Sequence, residues 1–370
     1  MRNKTASKVL ERQLTPIRIP MPLRYLINTA LIVAVWLLFH ALISGGVITN
    51  YWSGILITVG INIILAVSLN MATGYLGQLP LGHAGFMAVG AYAAGIFMKA
   101  TPAAALLKEG NSAAALPYVL IAIVISAVVA GLFGLLIGIP ALRLRGDYLA
   151  IITLGFGEII RVVLTNIDSV LGFDFTYGAA GLKRIPKYAS FNLVFVCVVL
   201  SCIVIHMIMK SRHGRAILSI RENEIASESV GIPTTYYKTF AFVVSAMLAG
   251  VAGCLYAGYL GSLYPSTFKF MKSIEILVMV VLGGMGSMMG SILSASVLTI
   301  LPEALRSVDD YRMVASSLAL VVMMIFRPKG LMGSYDFSMS RILEKALNAV
   351  FRPKLRKAKK EKEGAENGKN

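Results

Sequence analysis

Apolar runs of near-membrane length, separated by short polar intervals, repeat along this chain from residue 25 to residue 326. The runs fall at 25–44, 51–71, 82–100, 117–139, 147–165, 190–209, 236–260, 273–284, 288–302 and 311–326. About 20 apolar residues cross a bilayer as a helix, so the pattern predicts an all-α, polytopic integral membrane protein of about ten spans. The largest internal break is the polar stretch Lys210–Pro233, carrying Lys210, Arg212, Arg215, Arg221, Glu222, Glu224 and Glu228. Read as one helix from Arg215, it places Leu218, Ile225 and Ile232 on one face, seven residues apart. Arg221, Glu224 and Glu228 then form a charged stripe beside that face. Such a segment reads as a docking helix.

Two glycine-rich stretches interrupt the apolar pattern. Gly74–Gly95 reads GYLGQLPLGHAGFMAVGAYAAG, and Gly283–Gly290 reads GGMGSMMG. Glycine and proline at this density break helices, and broken backbone at membrane depth is tolerated only where it is buried in protein or lines a cavity. The first stretch is expected to line a cavity and the second to form a hairpin or re-entrant turn. Gln78 and His83 are the side chains available to a ligand in the first. Close helix packing through small residues explains the glycines equally simply. Ionisable residues inside the runs are few: Asp147, Glu158 and Arg161 in the fifth, and Glu275 in the eighth. Gln78, His83, Glu158 and Arg161 are therefore the candidates for a translocation path. Glu158 and Arg161, three apart, also suit a structural ion pair.

Composition narrows the class. The 370 residues are 57% hydrophobic and 14% charged, where soluble domains carry roughly 25% charged residues. The net charge of +17 does not indicate nucleic acid, because most Lys and Arg sit in the tails and in alternate loops. That bias places the 1–24 arm, the 140–147 and 210–235 loops and the tail on the cytoplasmic side, with both termini inside a cell membrane. The run from Tyr25 to Ser44 is too long for the apolar part of a cleaved signal and reads as a retained first span. The domain reading is a basic arm (1–24), a permease body (25–333) holding the 210–233 segment, and a charged tail (334–370) lying near anionic lipid. The three cysteines, Cys197, Cys202 and Cys254, all lie within apolar runs and read as core residues rather than as a disulfide or metal set.

No intramembrane catalytic constellation is present. The four histidines are scattered, no H-E-x-x-H or G-x-S-x-G occurs, and no G-x-x-x-x-G-K-[ST] phosphate loop is found. A transporter without its own motor remains.

Four segments carry a family resemblance: GYLGQLPLGHAGFMAVGAYAAG, Leu142–Val162 (LRLRGDYLAIITLGFGEIIRV), Ser219–Ile232 (SIRENEIASESVGI) and Phe326–Gly333 (FRPKGLMG). Together they resemble the M-type permease of branched-chain amino acid ABC importers, over about residues 25–333. The resemblance implies a second, similar permease as partner, two ATPase subunits that bind the ATP, and an external substrate-binding protein. No cofactor is implied in this chain. It also implies an ATPase-coupling helix at Glu224, Ala226, Ser227 and Gly231, joined by Arg221 and Glu228 from the charged stripe. Ser227 stands where the family pattern has an alanine. Thr176–Gly181 (TYGAAG) likewise departs from the family's T-G-G-x-N-G stretch. The closely similar urea and short-amide importer permeases are an alternative on substrate. An ion-coupled secondary transporter is another, weakened by the scarcity of deep carboxylates.

Overall fold

Leu-, Ile- and Val-rich runs with no internal charge must satisfy their own backbone when water is excluded, and the helix is the local way to do so. The computed structural model describes residues 20–108, 112–144, 146–172, 176–305, 321 and 330–331. Its helices are α1 (Met21–Ser44), α2 (Asn50–Asn70), α3 (His83–Ala100), α4 (Ala103–Lys108), α5 (Ser112–Ala141) and α6 (Asp147–Leu171). They continue as α7 (Phe191–Lys210), α8 (Arg212–Glu222), α9 (Glu224–Ser229), α10 (Thr234–Leu260), α11 (Phe270–Gly283) and α12 (Met288–Ala304). One antiparallel pairing of two-residue strands joins β1 (Leu182–Lys183) to β2 (Ser262–Leu263).

Six helical stretches among the described residues are long and apolar enough to cross a membrane: Tyr25–Ser44, Asn50–Tyr75, Ala114–Ala141, Tyr148–Ser169, Phe191–Lys210 and Thr234–Leu260. The expected count of ten is not reached there. The runs at 82–100, 273–284 and 288–302 do form helices, α3, α11 and α12. However, α3 is diluted by His83, Lys99 and three glycines, and α11 has 14 residues, about 21 Å at 1.5 Å per residue. A hydrocarbon core is about 30 Å thick, so α11 is too short to cross it alone. The run at 311–326 lies outside the described residues except for 321.

Helix α1 belongs to a unit separate from the body and is described by itself. Its residues Trp36 and His40 stack one turn apart, with ring centroids 5.4 Å apart. In the body, α10 packs on α3 and α5, α3 on α5, and α2 on α7, α10 and α12. Small residues set this core. A Cβ on Gly90 would strike the Gly250 backbone, and one on Gly253 would strike the Met87 carbonyl. Ser126 Oγ lies at the same crossing, at hydrogen-bond distance from the carbonyls of Gly90 (2.9 Å) and Gly250 (2.6 Å), and so links α5 to both helices. Close backbone approach replaces the hydrophobic drive that lipid does not supply. The cysteines are free thiols within this body, Cys197 and Cys254 fully buried, as the sequence predicts.

Candidate functional site

The two glycine-rich breaks, 200 residues apart in the chain, touch each other. Helix α2 continues through a π-helical turn, Met71–Tyr75, and the chain then runs in non-helical conformation until α3 begins at His83. The second break turns at Gly284 (φ +103°) and Gly286 (φ +87°), and α12 starts on Ser287, whose Oγ accepts from Gly290 N–H (3.1 Å). Asn70 bridges the two. Its Oδ1 accepts from Gly286 N–H (2.9 Å) and its Nδ2 donates to the Ser287 carbonyl (3.1 Å). A Cβ on Gly74 would fall on the Gly286 backbone and on Asn70 Oδ1, so glycine is required at that contact. Gly330, from the fourth resemblance segment, packs on Gly284, and Leu331 N–H donates to the Leu282 carbonyl at 2.8 Å.

His83 is 2% exposed, and its Nε2 lies 2.9 Å from Ser68 Oγ. Ser245 Oγ donates to the Ser68 carbonyl (2.7 Å), so three helices meet around this histidine. Gln78 is half-buried, and its backbone N–H closes the π turn onto the Ala72 carbonyl at 3.0 Å. Neither residue lines the narrow crevice between α3, α6 and α11 around Ala84, Gly85, Gly157, Glu158, Phe270 and Ser273. Glu158 does line it. One Glu158 oxygen accepts from Arg161 Nε (2.6 Å) and the other from Phe270 N–H (3.1 Å) in the first turn of α11. The pair therefore also anchors the start of a short helix, and a carboxylate there is favoured by the helix dipole. The structure separates His83 and Gln78 from Glu158 and Arg161; the four do not form one site.

The docking segment is two helices rather than one. Asn223 is extended (φ −158°, ψ 108°) between α8 and α9, and its Oδ1 accepts from Ala226 N–H (3.0 Å) as an N-cap. The break rotates α9 away from the expected faces. Ile217, Ile220 and Ser227 are buried, whereas Ile225 is 69% exposed and Val230 is 81% exposed. Leu218, Ile225 and Ile232 therefore do not share one face: Ile225 is exposed, while Leu218 and Ile232 are half-buried and Ile232 packs against the core. The stripe is divided too. Glu224 turns to α10, where its Oε1 lies 2.7 Å from Nζ of Lys238, itself only 3% exposed. Arg221 runs along the glycine breaks: a Cβ on Gly77 would lie 3.2 Å from its Cγ, and one on Gly286 3.0 Å from its Nη1. Glu228 and Ala226 remain on the exposed side.

Gly231 (φ +86°) closes α9 as a Schellman motif, with Ile232 N–H donating to the Ser227 carbonyl (3.1 Å) and Gly231 N–H to the Glu228 carbonyl (2.9 Å). This is the helix end expected from Gly231 and Pro233. The sequence reading missed three residues of this region: Asn70, Asn223 and Lys238. An asparagine at the end of an apolar run, and a lysine at the third residue of one, are the signals that mark Asn70 and Lys238. Asn223 precedes an acidic first turn, which is an N-cap signature.

Residues 51–327 match the family model described as the branched-chain amino acid transport system / permease component. The chain is 37% identical over 314 residues to the high-affinity branched-chain amino acid transport system permease protein LivM of Salmonella typhimurium, covering 74% of this chain and 68% of that one. The Escherichia coli K12 LivM is likewise 37% identical over 309 residues, with the same coverage. The permease protein BraD of Pseudomonas aeruginosa is 27% identical over 285 residues, covering 73% of this chain and 91% of its own. With most of the body inside the family model and its helix breaks at the resembling segments, this chain belongs to the branched-chain amino acid transport system permease family.

Proposed function

We propose that this chain is the M-type permease subunit of an ATP-binding-cassette importer that moves branched-chain amino acids across the cell membrane. It pairs with a second, similar permease, of the kind represented by the Escherichia coli LivH permease protein, itself 32% identical to this chain over 126 residues. Two ATPase subunits supply the energy and an external binding protein supplies the substrate. The chain crosses the membrane several times with both termini inside, its glycine-rich breaks acting as the flexible points of alternating access. Glu158, which lines the cleft, and Arg161, paired with it, are the residues of this chain that border the path.

The observation that carries the reading is the α8–α9 segment. Within a highly polar stretch, Ile225 and Val230 are 69% and 81% exposed and stand beside exposed Glu228. An apolar pair with a charged neighbour, on the short α9 that follows the α8 anchored by Ile217 and Ile220, is the form of a surface that a soluble partner covers. The ATPase is that partner, since no phosphate-binding loop occurs in this chain.

The test is uptake by the reconstituted complex. Ile225→Asp with Val230→Asp is expected to cut ATP-driven leucine uptake roughly tenfold or more, the scale of losing an interfacial hot spot. The amount of chain in the membrane should stay level, because both side chains point outward. Gly231→Trp should act similarly: nothing lies within 4 Å of a Cβ there, so its effect comes from strain at positive φ and from bulk at the docking face. Normal uptake in both variants overturns the docking assignment. A wild-type chain that yields no ATPase on mild-detergent purification overturns the importer reading.

A further inference from the structure

We infer that Arg221 is the positioning residue through which the docking segment moves both helix breaks together. This rests on the importer reading above and adds to it a defined mechanical link. Arg221 sits in the last turn of α8, two residues before the Asn223 break. Its stem lies against Gly77 and its guanidinium against Gly286, and both glycines have positive φ (+79° and +87°). No side chain intervenes at either contact.

The glycines it touches follow two helix C-termini, Gly77 that of the α2 π turn at Tyr75 and Gly286 that of α11 at Gly283. The carbonyl end of a helix carries partial negative charge, so one cation placed at two such ends is held by both. Asn70 and the Gly74–Gly286 contact already join the two breaks. A displacement of α9 that tilts α8 about its buried Ile217 and Ile220 must therefore carry the guanidinium against a pair of turns that cannot move separately. The docked partner then acts on α2–α3 and α11–α12 at one point. Arg221 is a transmission contact, distinct from the exposed Ile225–Val230 face that binds.

The experiment uses the complete complex in proteoliposomes, reading substrate taken up per ATP hydrolysed beside total ATP hydrolysis. Arg221→Gln keeps the stem and loses the charge, Arg221→Lys keeps the charge, and Arg221→Ala removes both. The expected result is a fall of roughly fivefold in uptake per ATP for the Gln and Ala variants, with Lys retaining most of it, as a helix-end charge effect requires. Unchanged uptake per ATP in Arg221→Ala overturns the inference. So does equal loss of assembled complex in all three Arg221 variants, which marks a purely structural role. If the wild-type complex takes up substrate without ATP hydrolysis, the importer reading itself has failed, and that outcome is distinct from either.

Discussion

Gly74→Val is expected to remove most of this protein from the membrane fraction and to lower the apparent melting temperature of what remains in detergent. The reason is geometric. A Cβ at position 74 would lie inside contact distance of the Gly286 backbone nitrogen and Cα, and of Asn70 Oδ1. Neither neighbour is the free end of a flexible side chain. Gly286 N–H and the Ser287 carbonyl are both held by Asn70, so relieving the clash breaks two buried hydrogen bonds as well. Overpacking that forces backbone to move costs about 1 to 3 kcal/mol and sometimes more, a large share of the stability of any domain. Gly155→Ala is the control. It lies in the interior of α6 with nothing within 4 Å of a Cβ, so the variant should match wild type or gain slightly. A Gly74→Val protein as abundant and heat-resistant as the Gly155→Ala one would show that the two breaks are not packed together.

The second large effect concerns Glu224. Glu224→Ala should destabilise the chain by about 2 to 3 kcal/mol, because it leaves the Lys238 ammonium buried without this carboxylate. The estimate is set below the fully buried case because the Glu224 side chain is 26% exposed against 4% for Lys238. Lys238→Met in the same protein should recover most of the loss, since the two sites then fail together rather than separately. Chemical denaturation of the detergent-solubilised single and double variants measures this coupling. Strictly additive effects would show that the pair contributes nothing. The result also bears on function. Loss of transport in Glu224→Ala would reflect the hold of α9 on α10, and is not by itself a sign that Glu224 touches the ATPase. The outward-facing Ile225, Glu228 and Val230 are the residues whose loss reports on docking.

Much of the fold is legible in the chain. Runs such as Leu116–Ile139 and Phe191–Met209 hold no Asp, Glu, Lys or Arg and few other polar residues, which makes helix the necessary conformation at membrane depth. Gly231 before Pro233 marks a helix end, and a Schellman turn is found there. The continuous docking helix was not legible in its true form. Leu218, Ile225 and Ile232 keep a seven-residue spacing that favours one helix, but Asn223 gives its side chain to Ala226 N–H and interrupts it. A local side chain-to-backbone bond outweighs a periodic pattern that spans only two turns on either side.

For the site, the residue types were visible and their grouping was not. Glycines at 74, 77, 284 and 286 mark two breaks in the sequence, and Gln78 and His83 lie near the first of them. Their arrangement depends on pairings across 189 to 217 residues, such as Ala84 with Ser273 and Asn70 with Ser287. Those pairings turn His83 toward Ser68 and leave Glu158 at the cleft.

The sequence by itself determined the class of the molecule, where its helices break, which segment stands out as polar, and the family motifs. Each of these follows from local chemistry: hydropathy along a run, backbone freedom at glycine, charge density in a loop. Only the tertiary structure decided that the two breaks share one junction, that Arg221 and Glu224 face the body, and that Ile225 and Val230 face away. Those facts depend on which helices approach closely enough for glycine backbones to touch. That choice is settled by packing over the whole chain, with no local signature at any one residue.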